Sequence, residues 1–361
     1  MNIGVDAGAL SISDERLKLG VYWVNVNLLR ELGEIDKTNT YFLYSFTPIA
    51  REVMESFGPR MINTVLAPQM GWAAIRLPLE LKLHPVDLFL GLSQFIPPSK
   101  SYNIGFIYDL GFLRHPEAYP DSQIKLAQIT DNLVDRSNQI ITISRAVKDD
   151  VVGRYSLEPK KVTMAYPGVN ETFTPKGPAH EAEHPYFLFV GALKPGKNIP
   201  FLLRGFARFL TMQKNAFDLY LVGGEYWKDP DIQKEIEELH LVSRVQKLGF
   251  VPDTQLAGYY RGALAFVSPS LYEGFCLPAV EAMACGCPVV GSTEGAFPEV
   301  VGDGGILVDP YDSKALTAAM EVMANDKIKR FSYVKKGLQR SRKYSWKTFA
   351  SRVHDAIQKH E

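Results

Sequence analysis

The sequence holds only three cysteines in 361 residues, Cys276, Cys285 and Cys287, all within twelve positions. An odd count in one short segment excludes a disulfide framework and fits a reducing compartment. The C-x8-C-x-C spacing also lacks the paired ligands of a zinc site, and the nearest histidines, His240 and His354, lie far away in the sequence. Net charge is equally scarce. Because 40 Lys and Arg balance 40 Asp and Glu, no global field favours nucleic acid, and recognition of any anion must be local. No run approaches the roughly 20 apolar residues of a membrane-spanning helix. Met1 to Asp6 enters a strand pattern directly, without the basic and apolar regions of a secretory leader, so the expectation is a cytoplasmic protein.

What is present is an ordinary globular balance, 46% hydrophobic and 22% charged, in a chain long enough for roughly two domains. Short β-rich apolar runs alternate with segments of helical period, the rhythm of β-α units around a parallel sheet. Seven strands are expected before Pro167, from Ile3 to Ala7 through Val162 to Tyr166. Pro167 to Pro185, with four prolines and two glycines, reads as a linker. Six more strands follow, from Tyr186 to Gly191 through Gly305 to Val308. Both halves therefore read as doubly wound, Rossmann-like α/β domains, residues 1–170 and 171–344, whose ligands bind beyond the carboxyl ends of the strands. Residues 345–361 have helical spacing through Trp346, Phe349, Val353 and Ile357 and can pack on either domain.

The most informative stretch runs from Ser268 to Ser292. A strand ends near Ser268, a loop carries Glu273 and Gly274, and Pro278 suits the first turn of a helix. Backbone N–H groups around Phe275, Cys276 and Leu277 then face the strand end and favour an anion such as a diphosphate. Glu281, about one turn into the helix, lies among apolar residues where an idle charge is costly, and suits a pair of sugar hydroxyls. Glu273 suits a second sugar. A second constellation, Gly191 to Asn198, places Lys197 at a helix start and Lys194 on a Gly/Pro-bounded loop, offering positive charge to a phosphate. Asp109, at another strand end, is a candidate to orient an acceptor hydroxyl or to act as a base, or simply caps a turn.

These residues carry a resemblance. Gly191 to Asn198, followed by the E-x7-E element Glu273 to Glu281, resembles retaining nucleotide-sugar glycosyltransferases of family 4, whose GT-B fold sets two Rossmann-like domains facing a cleft. Further matches are Gly20-Val21 before Asn27-Leu28-Leu29, Tyr108-Asp109-Leu110, Ile143-Ser144 before Lys148, Gly168-Val169-Asn170 and Pro298-Glu299-Val300. The resemblance implies a donor held mainly by the second domain: Glu273 on the donor sugar, Glu281 on the ribose, Lys197 on the diphosphate with Lys194 beside it, and Gly20 and Tyr108 also at the donor. It implies no metal and no cofactor, a saccharide or lipid-linked acceptor, and, from its likeness to bacterial mannosyltransferases of polysaccharide assembly, GDP-mannose as donor, with UDP-glucose as the alternative. Three positions depart from the family pattern. Tyr22 replaces a glycine of Gly-x-Gly, Tyr108 replaces a histidine, and Gly196 replaces an arginine.

Weaker signals complete the reading. Asp229-Pro230-Asp231 reads as a charged turn rather than a metal signature. From Lys327 to Arg352 there are ten Lys and Arg and no Asp or Glu, which makes either a solvated helix face or a contact for anionic lipid on the inner face of a membrane. Trp72 to Leu83, interrupted by Pro78, reads as a domain-edge or core segment that can also touch a membrane. The rivals of other classes are a non-catalytic two-lobed sugar-binding protein and a nucleotide-sugar epimerase.

Overall fold

Runs of β-branched and aromatic residues become strands, and the amphipathic segments between them become the helices that cover both faces of each sheet. The structure is a computed structural model that describes residues 1–18, 20–224 and 230–360. The first sheet holds β1 (Asn2–Asp6), β2 (Thr40–Ser45), β3 (Met61–Val65), β4 (Leu88–Gly91), β5 (Tyr102–Ile107), β6 (Gln139–Thr142) and β7 (Val162–Met164), in the order 3-2-1-4-5-6-7. Every neighbouring pair is parallel. Central β4 is buried along its whole length, whereas edge strand β3 leaves Ile62 and Val65 exposed. The strand order reverses between β1 and β4, so the loops after these two strands part and open a crevice at the carboxyl edge.

The second sheet repeats the logic with β8 (Tyr186–Val190), β9 (Asp218–Val222), β10 (Val245–Gly249), β11 (Ala265–Ser268), β12 (Val289–Ser292) and β13 (Gly305–Val308), in the order 10-9-8-11-12-13. All pairs are again parallel. Here the reversal falls between β8 and β11. The core under this sheet includes Phe187, Phe189, Phe206, Phe209 and Leu221, each fully buried. Gly205 lets the helix Ile199–Thr211 meet the helix Ser313–Asn325, since a Cβ there would lie 2.6 Å from Leu316 Cδ2.

The chain divides into two compact units: unit 1 is Met1–Leu110, Asp121–Gly168 and the segment from Ser345, and unit 2 is Gly111–Pro120 and Val169–Tyr344. Three differences from the sequence reading stand out. Gly111–Pro120, assigned from sequence to the first domain, belongs to unit 2. The Pro-rich stretch read as a linker is bound to unit 2, where Arg261 donates to Pro178 O (2.8 Å) and Thr174 O (3.1 Å). The guanidinium fork satisfies two carbonyls that a free linker would give to water. Pro78 does not break the Trp72 to Leu83 segment either. It sits in the first turn of the helix Leu77–Leu83, where its missing N–H leaves nothing unpaired, and a π turn over Trp72–Arg76 runs into that helix.

The last helix, Trp346–Gln358, packs in unit 1 against the helix Gly20–Ile35. Gly168 makes room for it, because a Cβ there would lie 2.1 Å from Trp346 N. At the other end of the contact, His354 Nε2 lies 3.6 Å from the buried carboxyl of Asp36. That carboxyl accepts from Tyr41 Oη (2.6 Å), Asn39 Nδ2 (2.8 Å) and the Thr38 and Asn39 amides (3.0 Å each). Burial alone would raise its pKa, but these donors outweigh burial and hold it well below the usual carboxylate range. We expect Asp36→Ala to destabilise the protein by about 3 kcal/mol in urea unfolding, because the Tyr41 hydroxyl, the Asn39 side-chain amide and the Thr38 and Asn39 backbone amides all lose the buried acceptor they share. A depressed carboxyl contributes fully above its unfolded pKa of about 3.9 and loses that contribution as pH falls toward the folded value. The stability gap between wild type and Asp36→Ala should therefore close in acid.

Candidate functional site

The switch point of unit 2 is flanked by two loops, and both carry residues that the sequence singles out. After β8 the chain turns through Gly191, a short 3-10 turn over Pro195–Lys197, and Asn198 in left-handed conformation (φ 57°) before the helix begins. Asn198 Nδ2 donates to Pro310 O (2.9 Å) and Pro269 O (3.3 Å), and Leu271 N donates to Gly196 O (3.0 Å). These bonds stitch the loop after β8 to the loop after β11. Gly223 at the end of β9 must be glycine, because its φ is +135° and a Cβ would lie 2.0 Å from Gly191 O.

Across this seam Lys197 Nζ donates to Glu273 Oε1 in an ion pair whose side chains are only 17% and 12% exposed. Ser270 Oγ donates to the same carboxylate oxygen at 2.7 Å, and Ser268 Oγ lies 3.0 Å from Ser270 Oγ. The main chain of Glu273 is held as well. Ala296 N donates to Glu273 O (2.8 Å), and Gly295 (φ +62°) allows that approach, where a Cβ would lie 2.5 Å from the same oxygen. Two opposite charges taken this far from water persist only with good geometry and further hydrogen bonds, and the site supplies both.

Directly after this loop the helix Leu277–Ala284 begins, with Pro278 in its first turn and Cys276 at its N-cap in left-handed conformation (φ 68°). Cys276 contributes no side-chain cap to the first-turn amides, so the partial positive charge of this terminus is not answered at the N-cap. Gly274, Phe275 and Cys276 are buried, with Phe275 edge-on to Tyr344 at 5.3 Å between ring centroids. Any contact these residues make with a ligand is therefore through the backbone. The Cys276 thiol is pushed up by burial and by the charge of Glu273, which keeps it neutral and unreactive.

Glu281 accepts from Tyr260 Oη at 3.0 Å, and its carboxyl is pushed up to about 8, chiefly by burial and then by the negative charge of Asp253. Asp253 is itself raised by burial while Asn170 donates to it. Tyr260 and Asp253 belong to the helix Asp253–Gly262 and escaped the sequence reading, since no spacing relative to Glu281 announces them. Lys194 Nζ lies over the ring of Tyr119 at 5.7 Å from its centroid. Tyr119 comes from Gly111–Pro120, the segment that unit 2 takes from the first half of the chain.

The remaining candidates belong to unit 1. Gly20 opens the helix Gly20–Ile35, and Tyr22, at the position where the resembling family has glycine, is buried edge-on to Trp23 with Lys18 Nζ 4.9 Å from its ring centroid. Tyr108 follows β5 and is buried. Its hydroxyl is committed to the protein, lying 2.7 Å from Leu92 O and 3.1 Å from Asn25 Oδ1, and burial together with Asp6 raises its pKa. The backbone carbonyl of Asp109 accepts from Gln94 Nε2 at 3.4 Å. The sequence reading missed Asp6 at the end of β1, beside the switch point. This carboxyl is 1% exposed, accepts from the Gly8 and Ser93 amides at 3.1 Å each, and is raised by burial. Its signal was legible as an acidic residue closing the first strand.

Among the described residues no group of three His, Cys, Asp or Glu side chains is placed to hold a metal ion. Asp229 of the acidic pair Asp229 and Asp231 lies outside the described residues. Also among the described residues, no helix is long and apolar enough to cross a membrane.

The raised Glu281 carboxyl gives a pH prediction. The folded protein keeps a proton that the unfolded chain releases above about 4.3, so this contribution to stability is full below that pH and is lost as pH rises through the folded value. Urea midpoints measured from about pH 5 to pH 8 should fall less in Glu281→Gln than in wild type.

Residues 170–340 match the family described as glycosyl transferases group 1. The chain is 27% identical to the O-antigen chain mannosyltransferase B of Escherichia coli over 279 residues, covering 74% of this chain and 73% of the relative. It is 32% identical to the O-antigen chain mannosyltransferase RfbU of Salmonella typhimurium over 267 residues, covering 72% and 71%. In three dimensions it superposes on Anabaena Alr3699/HepE, solved in complex with UDP and glucose, with a TM-score of 0.77 over 99% of both chains at 17% identity. That likeness shows the fold, which is GT-B. With the match over 170–340, the 32% identity across most of both chains and two doubly wound sheets, the chain belongs to the group 1 glycosyl transferases.

Proposed function

We propose that this glycosyltransferase moves a hexose from a nucleoside diphosphate sugar to a saccharide or lipid-linked acceptor in polysaccharide assembly, with retention at the anomeric carbon and without a metal ion. The observation that carries this reading is the Lys197–Glu273 pair, fixed by Ser270 at the switch point of unit 2 in front of the helix Leu277–Ala284. A diphosphate fits there because lysine and first-turn amides oppose negative charge together. As the anomeric C–O bond breaks, that charge grows on the leaving diphosphate, and donors already in place stabilise it without reorganising. The acceptor oxygen forms its new bond on the same face, and its proton passes to the departing phosphate oxygen, so no protein base is required. Glu273 holds the donor-sugar hydroxyls and Glu281 the ribose hydroxyls. Asp109 orients the acceptor.

GDP-mannose is the favoured donor, on the names of two relatives that are O-antigen mannosyltransferases. A UDP-sugar is the second reading, favoured by the UDP and glucose bound in a protein of the same fold. Ribose hydroxyls donate to an ionised carboxylate, so binding should expel the proton that burial keeps on Glu281.

Calorimetry with GDP, UDP and ADP in the presence of chelator tests the donor site. One nucleotide should bind, with protons released near neutral pH, and Glu281→Ala should abolish both the binding and the release. Lys197→Ala should weaken the nucleoside diphosphate by about 2 kcal/mol, roughly 30-fold in Kd, and leave the nucleoside unchanged. Glu273→Ala should chiefly lower turnover in a labelled-sugar transfer assay. Nucleotide binding that survives in Glu281→Ala and Lys197→Ala would remove these residues from the site.

A further inference from the structure

The helix Lys327–Ser341 buries one side in unit 2 and shows the other to solvent. Gly337 carries the buried contact: a Cβ there would lie 3.1 Å from Met283 Cγ, on the helix that bears Glu281. Two arginines pin the helix in place. Arg330 Nη1 donates to Ala324 O (3.1 Å) and Arg340 Nε donates to Val300 O (3.1 Å). The fold thereby fixes which side faces outward.

On that outward side Ile328 is 86% exposed and Phe331 73%. Spacings of three, four and seven carry the same face on through Lys335 and Arg342, and Lys327 and Lys343 flank it, all four exposed. Acidic side chains meet it at the edges, where Lys329 pairs with Asp326 and Lys336 with Asp303, each at 3.7 Å. Two large apolar side chains ringed by cations have no use for each other in water. Nucleic acid would answer the charge and leave the isoleucine and the phenylalanine wet, whereas a lipid surface takes up both.

We propose that this face docks unit 2 onto a bilayer that carries anionic lipid. Ile328 and Phe331 enter the headgroup layer, and Lys327, Lys335, Arg342 and Lys343 lie over lipid phosphates. The proposal stands apart from the donor chemistry. It rests on side-chain exposure and charge alone.

Co-sedimentation of the full chain with large unilamellar vesicles tests it. Wild type should bind vesicles of phosphatidylethanolamine and phosphatidylglycerol and leave vesicles of phosphatidylcholine alone unbound. Both I328S/F331S and K335E/R342E should bind roughly tenfold or more weakly. All these side chains are exposed, so melting temperatures should match wild type and show that the variants fold. Equal binding to both vesicle types, or undiminished binding by the two double variants, would overturn the proposal. So would a wild-type dimer that I328S/F331S converts to monomer without changing vesicle binding, since the face would then join two copies of the chain.

Discussion

The ion pair between Lys197 and Glu273 is the constraint around which unit 2 is arranged. Neither partner lies on a strand or an α-helix. Each is carried by a loop, and a buried pair on loops holds only if those loops are denied other conformations. The left-handed Asn198, with its amide on two carbonyls, does this on one side. Gly295 and the Ala296 amide, gripping the Glu273 carbonyl, do it on the other. The sheet below contributes the glycine at 223, without which the ends of β8 and β9 could not approach. Rigid strands thus aim two short loops, and the bonds between those loops hold the charges of Lys197 and Glu273 in place.

The two switch points treat a carboxylate differently. In unit 2, Glu273 has a cation and a hydroxyl as partners and keeps some contact with solvent. In unit 1, Asp6 accepts from the Gly8 and Ser93 amides, has almost no exposure, and burial raises its pKa. The first arrangement suits a group that meets a charged ligand. The second suits one that braces two loops of the crevice, since Gly8 follows β1 and Ser93 follows β4.

Much of this was legible in the sequence, for definite reasons. The thirteen strands were readable because strands inside a parallel sheet are buried on both faces and appear as short apolar runs between turn residues. That Lys197 and Glu273 lie beyond the ends of β8 and β11, with Glu281 on the helix that follows, was readable because each comes soon after an apolar run. Contacts between distant segments were not readable. Tyr260 reaches Glu281 from another helix, and Tyr119 reaches Lys194 from the first half of the chain. Hydrophobic period reports which face of an element is buried and carries no word on which element it meets. The same limit hid the loyalty of Gly111–Pro120, too short and irregular to show a period.

The division of the chain bears on the order in which the protein is made. Unit 1 is split, and its last helix is encoded after the whole of unit 2. A ribosome adding about 5–20 residues per second needs roughly ten to thirty-five seconds to pass from Gly168 to Ser345. Through that interval the helix Gly20–Ile35 lacks its packing against Trp346–Gln358, and the carboxyl of Asp36 lacks the imidazole of His354. Unit 2 faces no such delay, because Gly111–Pro120 is already outside the ribosome when the rest of it emerges. Unit 1 is therefore completed only after unit 2, although most of its residues are made before it.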